Sequence, residues 1–167
     1  ALEHIQDISL IKHVSKTESS LRRIEAYDVA HMGGKDMVGV MVVLEDGEPQ
    51  KSEYRKFNIK TVDRANDTAA LKEILDRRLG HSEWPLPKLI IVDGGKAQMN
   101  AANKILSRYG IFIPVIGVAK DEYHRPRKIS GDKKTRGDLE KDILLANNEA
   151  HRFAITFHKK KRRKNLS

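Results

Sequence analysis

The chain has 167 residues, with 32 lysines and arginines against 23 aspartates and glutamates, which gives a formal net charge of +9. This length suits one well-buried domain, and the basic balance favours a polyanionic partner such as nucleic acid or an acidic membrane surface. The absence of cysteine excludes disulfides, zinc fingers and thiol nucleophiles, and the longest apolar run, over residues 37–44, is far too short to span a bilayer.

Residues 1–20 predict an N-terminal arm or linker helix, because Leu2, Ile5, Ile8 and Ile11 recur at a loose helical spacing. The remaining residues, 21–167, are expected to form a single domain.

The first predicted strand covers residues 23–31. Alternate side chains of a strand point to opposite faces, so Asp28 shares a face with the apolar Ile24 and Ala26. A carboxylate among apolar neighbours is costly unless it is paired or holds a metal ion, although an aspartate at a strand end can also simply reach solvent.

Two further strands are predicted over residues 37–46 and 48–59. They are joined by Asp46-Gly47, which is a strong hairpin signal. Three sequential strands with short turns predict an antiparallel meander.

Helices and strands alternate after the meander. Asp67 and Thr68 can cap a predicted helix that runs to about residue 79. Its residues at helical spacing are Leu71, Ile74, Leu75 and Arg78. The other predictions are a strand at 89–93, a helix at 96–109, a strand at 113–119, an irregular loop or small exposed hairpin at 120–137, and a long helix at 139–160. This order predicts an α/β fold, in which helices flank a mixed five-stranded sheet made of the three-strand meander and two parallel strands.

Asp93 ends a short apolar strand and precedes Gly94-Gly95. Ligand sites in open α/β sheets lie where such strands end. The alternative is that Asp93 only caps the following helix.

Asp28, Asp93 and His151 form the candidate constellation. If their strands lie parallel and adjacent, the two carboxylates emerge side by side and repel each other unless a cation lies between them. Oxygen ligands suit Mg²⁺ or Mn²⁺, and an imidazole tilts the choice slightly toward Mn²⁺. Alone, a histidine on a widely buried helix is more often a hydrogen-bonded core residue; together with the two aspartates we interpret His151 as a ligand.

The end of the last helix carries an unbroken basic run over residues 159–164. Cations at a helix C-terminus complement its dipole, but six in succession exceed that need and favour contact with phosphates.

Five motifs resemble the C-terminal nuclease domain of the UvrC family, the incision subunit of bacterial nucleotide excision repair. They are Tyr-Asp-Val-Ala-His (27–31), Ser-Glu-Tyr-Arg-Lys-Phe-Asn-Ile-Lys (52–60), Ile-Val-Asp-Gly-Gly-Lys-Ala-Gln-Met (91–99), Gly-Val-Ala-Lys (117–120) and Glu-Ala-His-Arg-Phe-Ala-Ile-Thr-Phe-His-Lys-Lys-Lys-Arg (149–162). They occur in the family's order from residue 21 onwards.

The resemblance implies an RNase H-like fold, an Asp-Asp-His triad formed by Asp28, Asp93 and His151 that holds Mg²⁺ or Mn²⁺, and cutting of the damaged DNA strand on the 5′ side of a lesion. It further implies a bacterial cytoplasmic protein that works with UvrB on damaged double-stranded DNA at the nucleoid. Asp67 is a candidate accessory acid, whereas Asn148 stands where the family usually has an aspartate. In the family a tandem helix-hairpin-helix module follows this domain; it has no counterpart in residues 1–167. The residues expected to contact DNA are Lys96, Gln98, Arg152, Lys159, Lys160, Lys161, Arg162 and Arg163.

Two hypotheses therefore stand. The first is a metal-dependent endodeoxyribonuclease domain. The second is a non-catalytic docking module for nucleic acid or protein on the same scaffold, in which the carboxylates are structural. Binding of Mn²⁺ separates the two.

Overall fold

The computed structural model of the chain describes residues 22–32, 36–60, 66–120, 123 and 126–166, except for the side chains of 126, 127 and 159–166. The predicted N-terminal arm over residues 1–20 lies outside the described residues.

A mixed sheet of seven strands forms the centre of the described structure. Its strands are β1 (Arg23–His31), β2 (Met37–Glu45), β3 (Glu48–Pro49), β4 (Arg55–Asn58), β5 (Leu89–Asp93), β6 (Val115–Lys120) and β7 (Pro126–Ser130). The order across the sheet is β3-β2-β1-β5-β6-β7, and β4 also pairs with β2. Strand β1 is antiparallel to β2 and parallel to β5, β5 is parallel to β6, and β7 returns antiparallel to β6.

Within the described residues, four α-helices accompany the sheet: α1 (Asp67–Leu79), α2 (Lys96–Arg108), α3 (Lys133–Asp138) and α4 (Glu140–Leu166). The side chain of Asn66 accepts a hydrogen bond from the backbone of Ala69 and so caps α1, in place of the predicted Asp67 or Thr68. Helix α4 continues several residues beyond the predicted end, through the whole basic run.

The predicted α/β class and the meander followed by parallel strands are confirmed, but the sheet has seven strands rather than five. The third predicted strand is divided into β3 and β4 by a 3₁₀ turn at Lys51–Glu53. Pro49 pairs with Leu44, and the backbone N–H of Gln50 still donates to the backbone oxygen of Val43 at 2.8 Å. The chain then leaves β2 through the 3₁₀ turn and rejoins it as β4. The exposed-hairpin alternative for residues 120–137 accounts for the seventh strand, because β7 pairs with β6.

The sheet separates two apolar cores. Tyr27 and Val92 contribute to the core under α1 and α2, whereas Ile24, Ala26 and Ile91 contribute to the core under α4. The alternation predicted for β1 is therefore present, and β5 is buried on both faces as its apolar run predicted.

Candidate metal centre

The carboxyl ends of β1 and β5 bring two aspartates together. The parallel register of these strands pairs Ala26 with Ile91 and Tyr27 with Val92, and Asp28 and Asp93 follow at the next position. Neighbouring parallel strands end at the same edge of a sheet, so both carboxylates emerge there.

His151 on α4 completes this group from above the sheet. Its Nδ1 lies 2.8 Å from Oδ2 of Asp28, and its Nε2 lies 3.1 Å from Oδ1 of Asp93. The side chain of Asp28 is 10 % exposed, and those of Asp93 and His151 are 29 % and 28 % exposed. One ligand atom from each residue lies within 4.8 Å of the other two. The structure thus brings the three predicted residues together at a site that is sheltered but open to solvent.

The three groups perturb one another strongly. Contacts with Asp28 and then Asp93 raise the pKa of His151 to about 10, so the ring is an imidazolium at neutral pH. Burial raises the pKa of Asp28, and the neighbouring charge of Asp93 adds to this effect. Burial also disfavours the charged form of Asp93, but the contacts from His151 outweigh it and lower the Asp93 pKa.

The donor set fits a small divalent cation. Two carboxylates and an imidazole are ligands that Mg²⁺ and Mn²⁺ accept, and the group already stabilises one positive charge at its centre. The Nε2 atom of His151 is buried and lies outside hydrogen-bond geometry with Asp93, so it has no hydrogen-bond partner among the described residues. Metals bind neutral imidazole, so a cation at this centre would replace the proton that His151 now carries.

The turn after Asp93 explains why its side chain is free to face α4. Gly94 has φ +138°, and a Cβ atom there would lie 2.5 Å from the side chain of Gln98. The backbone N–H of Gly95 donates to Oε1 of Gln98 at 3.1 Å, so α2 is capped by Gly95 and Gln98. The alternative that Asp93 caps this helix is therefore wrong.

A cavity of about 80 Å³ opens beside the two aspartates. Asp67, the candidate accessory acid, lies at this cavity, where its Oδ1 is 3.1 Å from Nε2 of His31. The cavity is lined by Tyr27, Asp28, Val29, His31, Asp67, Leu71, Asp93 and Gln98. No role was predicted for His31, although the alternation of β1 already places it at the end of the strand, on the face of Tyr27 and Val29.

The residues that are predicted to contact DNA lie in different surroundings. Lys96 is exposed at the start of α2, next to Gln98. The guanidinium of Arg152 donates two hydrogen bonds to Glu149, at 2.8 and 2.9 Å, so its charge is already compensated. The backbone of residues 159–163 belongs to α4, but the side chains of Lys159, Lys160, Lys161, Arg162 and Arg163 lie outside the described part of the chain.

Asn147 is a second polar residue at the centre that the sequence analysis did not assign. It lies one helical turn before His151, its side chain is 1 % exposed, and its Nδ2 is 3.4 Å from Oδ1 of Asp93. The signal was its i, i+4 spacing from His151, which places both residues on one face of the helix.

No helix among the described residues is both long and apolar enough to cross a bilayer.

Solved structures with a similar fold include Endonuclease V of Ciona intestinalis, in complex with a DNA 24mer containing an inosine followed by a ribo-adenosine. It is 16 % identical, with a TM-score of 0.47, and the match covers 80 % of this chain and 66 % of that one. Thermus thermophilus RuvC is 11 % identical with a TM-score of 0.32, over 81 % of this chain and 94 % of that one. Likeness at this level carries no argument about activity.

Sequence relatives are much closer. UvrABC system protein C of Thermoanaerobacter pseudethanolicus is 39 % identical over 202 residues, which cover 98 % of this chain and 32 % of the relative. UvrABC system protein C of Clostridium beijerinckii is 39 % identical over 187 residues, which cover 97 % of this chain and 30 % of the relative. The chain thus spans about a third of the length of these curated relatives. The family model described as the UvrC RNase H endonuclease domain matches residues 12–155, and with the mixed sheet it confirms the predicted RNase H-like class. The chain belongs to the UvrC RNase H endonuclease domain family.

Proposed function

We propose that this chain is a metal-dependent DNA endonuclease domain, which hydrolyses a phosphodiester on the 5′ side of a lesion as part of a UvrC protein. The observation that carries the proposal is the convergence of Asp28, Asp93 and His151 from three separate elements onto one position. The two acids repel each other, and one imidazolium offsets only one of their two charges, so the centre keeps a net negative charge that a divalent cation would compensate.

Asp28, Asp93 and His151 would hold Mg²⁺ or Mn²⁺. A cation bound there supplies Lewis acidity, which activates water as the nucleophile and stabilises negative charge on the phosphate and the leaving oxygen. The carboxylates contribute fixed orientation, because Asp28 also accepts a hydrogen bond from the backbone N–H of Val29 at 2.8 Å. His151 would hold the cation as a neutral imidazole, with one proton released to solvent.

The surroundings of the centre suit a DNA backbone. Lys96 and Gln98 lie at the start of α2 beside Asp93, and the basic run of α4 begins two turns beyond His151. His31 and Asp67 border the cavity on its other side, where Asp67 serves as the accessory acid. Contacts of Lys96 and of the basic run with phosphates would make DNA binding strongly dependent on salt concentration.

The partners follow from the family and not from the geometry. Curated relatives are called UvrABC system protein C. We infer that this domain acts with UvrB on damaged double-stranded DNA in the bacterial cytoplasm, at the nucleoid during repair, and that it cuts poorly without the helix-hairpin-helix module.

The test is titration of the 167-residue chain with MnCl₂ by calorimetry, together with nicking of a damaged duplex in Mg²⁺ or Mn²⁺. Wild type should bind Mn²⁺ with a millimolar or tighter dissociation constant. Asp28→Asn and Asp93→Asn should lose both binding and any nicking, while Asp138→Asn, at an exposed acid of α3, should keep them.

Nicking by either active-centre variant would show that the assigned roles are wrong. A wild-type chain that binds no Mn²⁺ would instead support the docking-module alternative.

A further inference from the structure

Two adjacent asparagines on α4 lie in opposite environments. Asn148 is exposed, whereas the side chain of Asn147 is 1 % exposed and its helix neighbours toward the sheet, Ile143 and Ala146, are core residues. The Nδ2 of Asn147 lies 3.4 Å from Oδ1 of Asp93, and its Oδ1 is buried without a hydrogen-bond partner among the described residues.

Asn147 is poorly suited to stabilise the fold. A buried carbonyl oxygen without a partner is unfavourable, and the one hydrogen bond that the side chain makes to the described residues is long, at 3.4 Å. A leucine of similar size would satisfy this apolar surrounding better. An amide at this position therefore has to be explained by its effect on Asp93.

The contact is suited to orient Asp93 without neutralising it. Oδ1 of Asp93 faces two groups of α4 at once, Nδ2 of Asn147 and Nε2 of His151. An arginine or lysine in place of Asn147 would compensate the carboxylate charge and repel a cation. A neutral amide donates to the same oxygen and leaves the negative charge in place.

We propose that Asn147 is a positioning residue, which holds the Asp93 carboxylate in the orientation that binds the divalent cation. This inference rests on the proposed function, because it assigns Asn147 to the same centre. Residues that hydrogen-bond a metal ligand from outside fix its orientation, and their removal typically weakens metal affinity by about 10- to 100-fold.

The experiment measures Mn²⁺ affinity by calorimetry and thermal stability without metal, for the 167-residue chain and three variants. Asn147→Leu should weaken Mn²⁺ binding by about tenfold or more, while its melting temperature stays equal to wild type or rises. Asn147→Ala should weaken binding similarly and keeps the test decisive if leucine does not fit. Asn148→Ala, at the exposed neighbour, should change neither quantity.

Unchanged Mn²⁺ affinity in folded Asn147→Leu or Asn147→Ala would overturn the inference while leaving the proposed function intact, provided that Asp93→Asn has lost binding. A loss of melting temperature in both variants with no loss of affinity would show a structural role instead. A wild-type chain without Mn²⁺ binding would overturn both proposals.

Discussion

Strand β1 carries two acids, the buried Glu25 and the partly buried Asp28, whose partners differ in kind. Glu25 is fully buried and accepts hydrogen bonds from Arg78 at 2.8 and 2.7 Å, from Arg23 at 2.9 Å, and from the hydroxyl of Tyr27 at 2.5 Å. Asp28 lies on the opposite face of the strand and meets a second acid and one histidine.

The difference is one of charge balance. Around Glu25, two guanidinium groups that never lose their charge meet one buried carboxylate, and Arg23 also pairs with Glu45 and Glu53 at the surface. The chain itself therefore provides all the compensation for Glu25.

Around Asp28, two carboxylates share one imidazole, whose charge depends on a proton. The compensated network around Glu25, here called the closed network, supports the fold. The site of Asp28, Asp93 and His151, here called the open centre, leaves room for a cation from solution.

The largest effect on stability is therefore expected at the closed network. Arg78→Ala removes the partner that donates to both oxygens of Glu25 and leaves a buried charge undercompensated, so the free energy of unfolding in urea should fall by about 3–5 kcal/mol. Arg77→Ala, at a partly exposed neighbour on α1 that pairs with Glu73 at 3.6 Å and donates to the backbone oxygen of Asn58 at 2.6 Å, should cost less, about 1 kcal/mol. Equal losses in the two variants would show that the Glu25 network does not differ from a surface pair.

The next effect should appear only at the open centre. Mn²⁺ at one hundred times its dissociation constant should raise the free energy of unfolding of wild type by about 2.7 kcal/mol. Arg77→Ala should keep this increment, because its site is remote from the centre. Asp28→Asn should lose it. A thermal scan with and without MnCl₂ measures the increment, and an equal rise in Asp28→Asn would place the ion elsewhere.

The alternation of β1 predicted the face on which Asp28 lies, and the same rule gives the opposite face for Glu25, but it did not predict the partners of either acid. The bounds predicted for β1 are those observed, and the spacing of Arg78 with the apolar residues of α1 correctly turned it toward the core. Its pairing with Glu25 joins residues 53 positions apart, which no local pattern encodes. The same limit explains why the convergence at Asp28 had to be inferred from strand order together with a family resemblance.

Two further features depended on packing that the sequence does not display. The 3₁₀ turn that separates β3 from β4, and the return of the chain to β2 after it, are not encoded in the alternation of these residues. The burial of Asn147 beside the exposed Asn148 depends on how α4 rotates over the sheet.

A smaller effect is expected in the turn that aims Asp93. Gly94→Ala puts a side chain at φ +138° and against Gln98, so it should lower the free energy of unfolding by roughly 2 kcal/mol and weaken Mn²⁺ binding. At Gly95 a Cβ would meet no atom within 4 Å, so Gly95→Ala should cost less than roughly 1 kcal/mol as a poorer helix cap. Chemical denaturation of both variants provides the comparison, and a costlier change at Gly95 would contradict it.

The smallest effect is expected at a third acid, Glu149, which forms an ion pair with the exposed Arg152. Contacts with Arg152 and the hydroxyl of Tyr54, at 2.6 Å, lower the Glu149 pKa from 4.5 to about 2. A lowered pKa means that the folded state favours the carboxylate, so its contribution is present above pH 4.5 and is lost as the pH falls through about 2. Because Arg152 is 49 % exposed, solvent screening should hold that contribution below about 1 kcal/mol.

Glu149→Gln measures the contribution of the Glu149 charge to the free energy of unfolding, because the amide keeps a hydrogen bond to Tyr54 and loses only the charge. The free energies of unfolding of wild type and variant should differ most above pH 5 and converge toward pH 2. A difference that stays constant over this range would show that the charge of Glu149 does not stabilise the folded state. Arg152 would then be held less firmly by Glu149 and would be more available for the phosphate contact that the sequence predicted for it. The measurement therefore connects Glu149, the acid with the smallest expected effect on stability, to the binding of DNA.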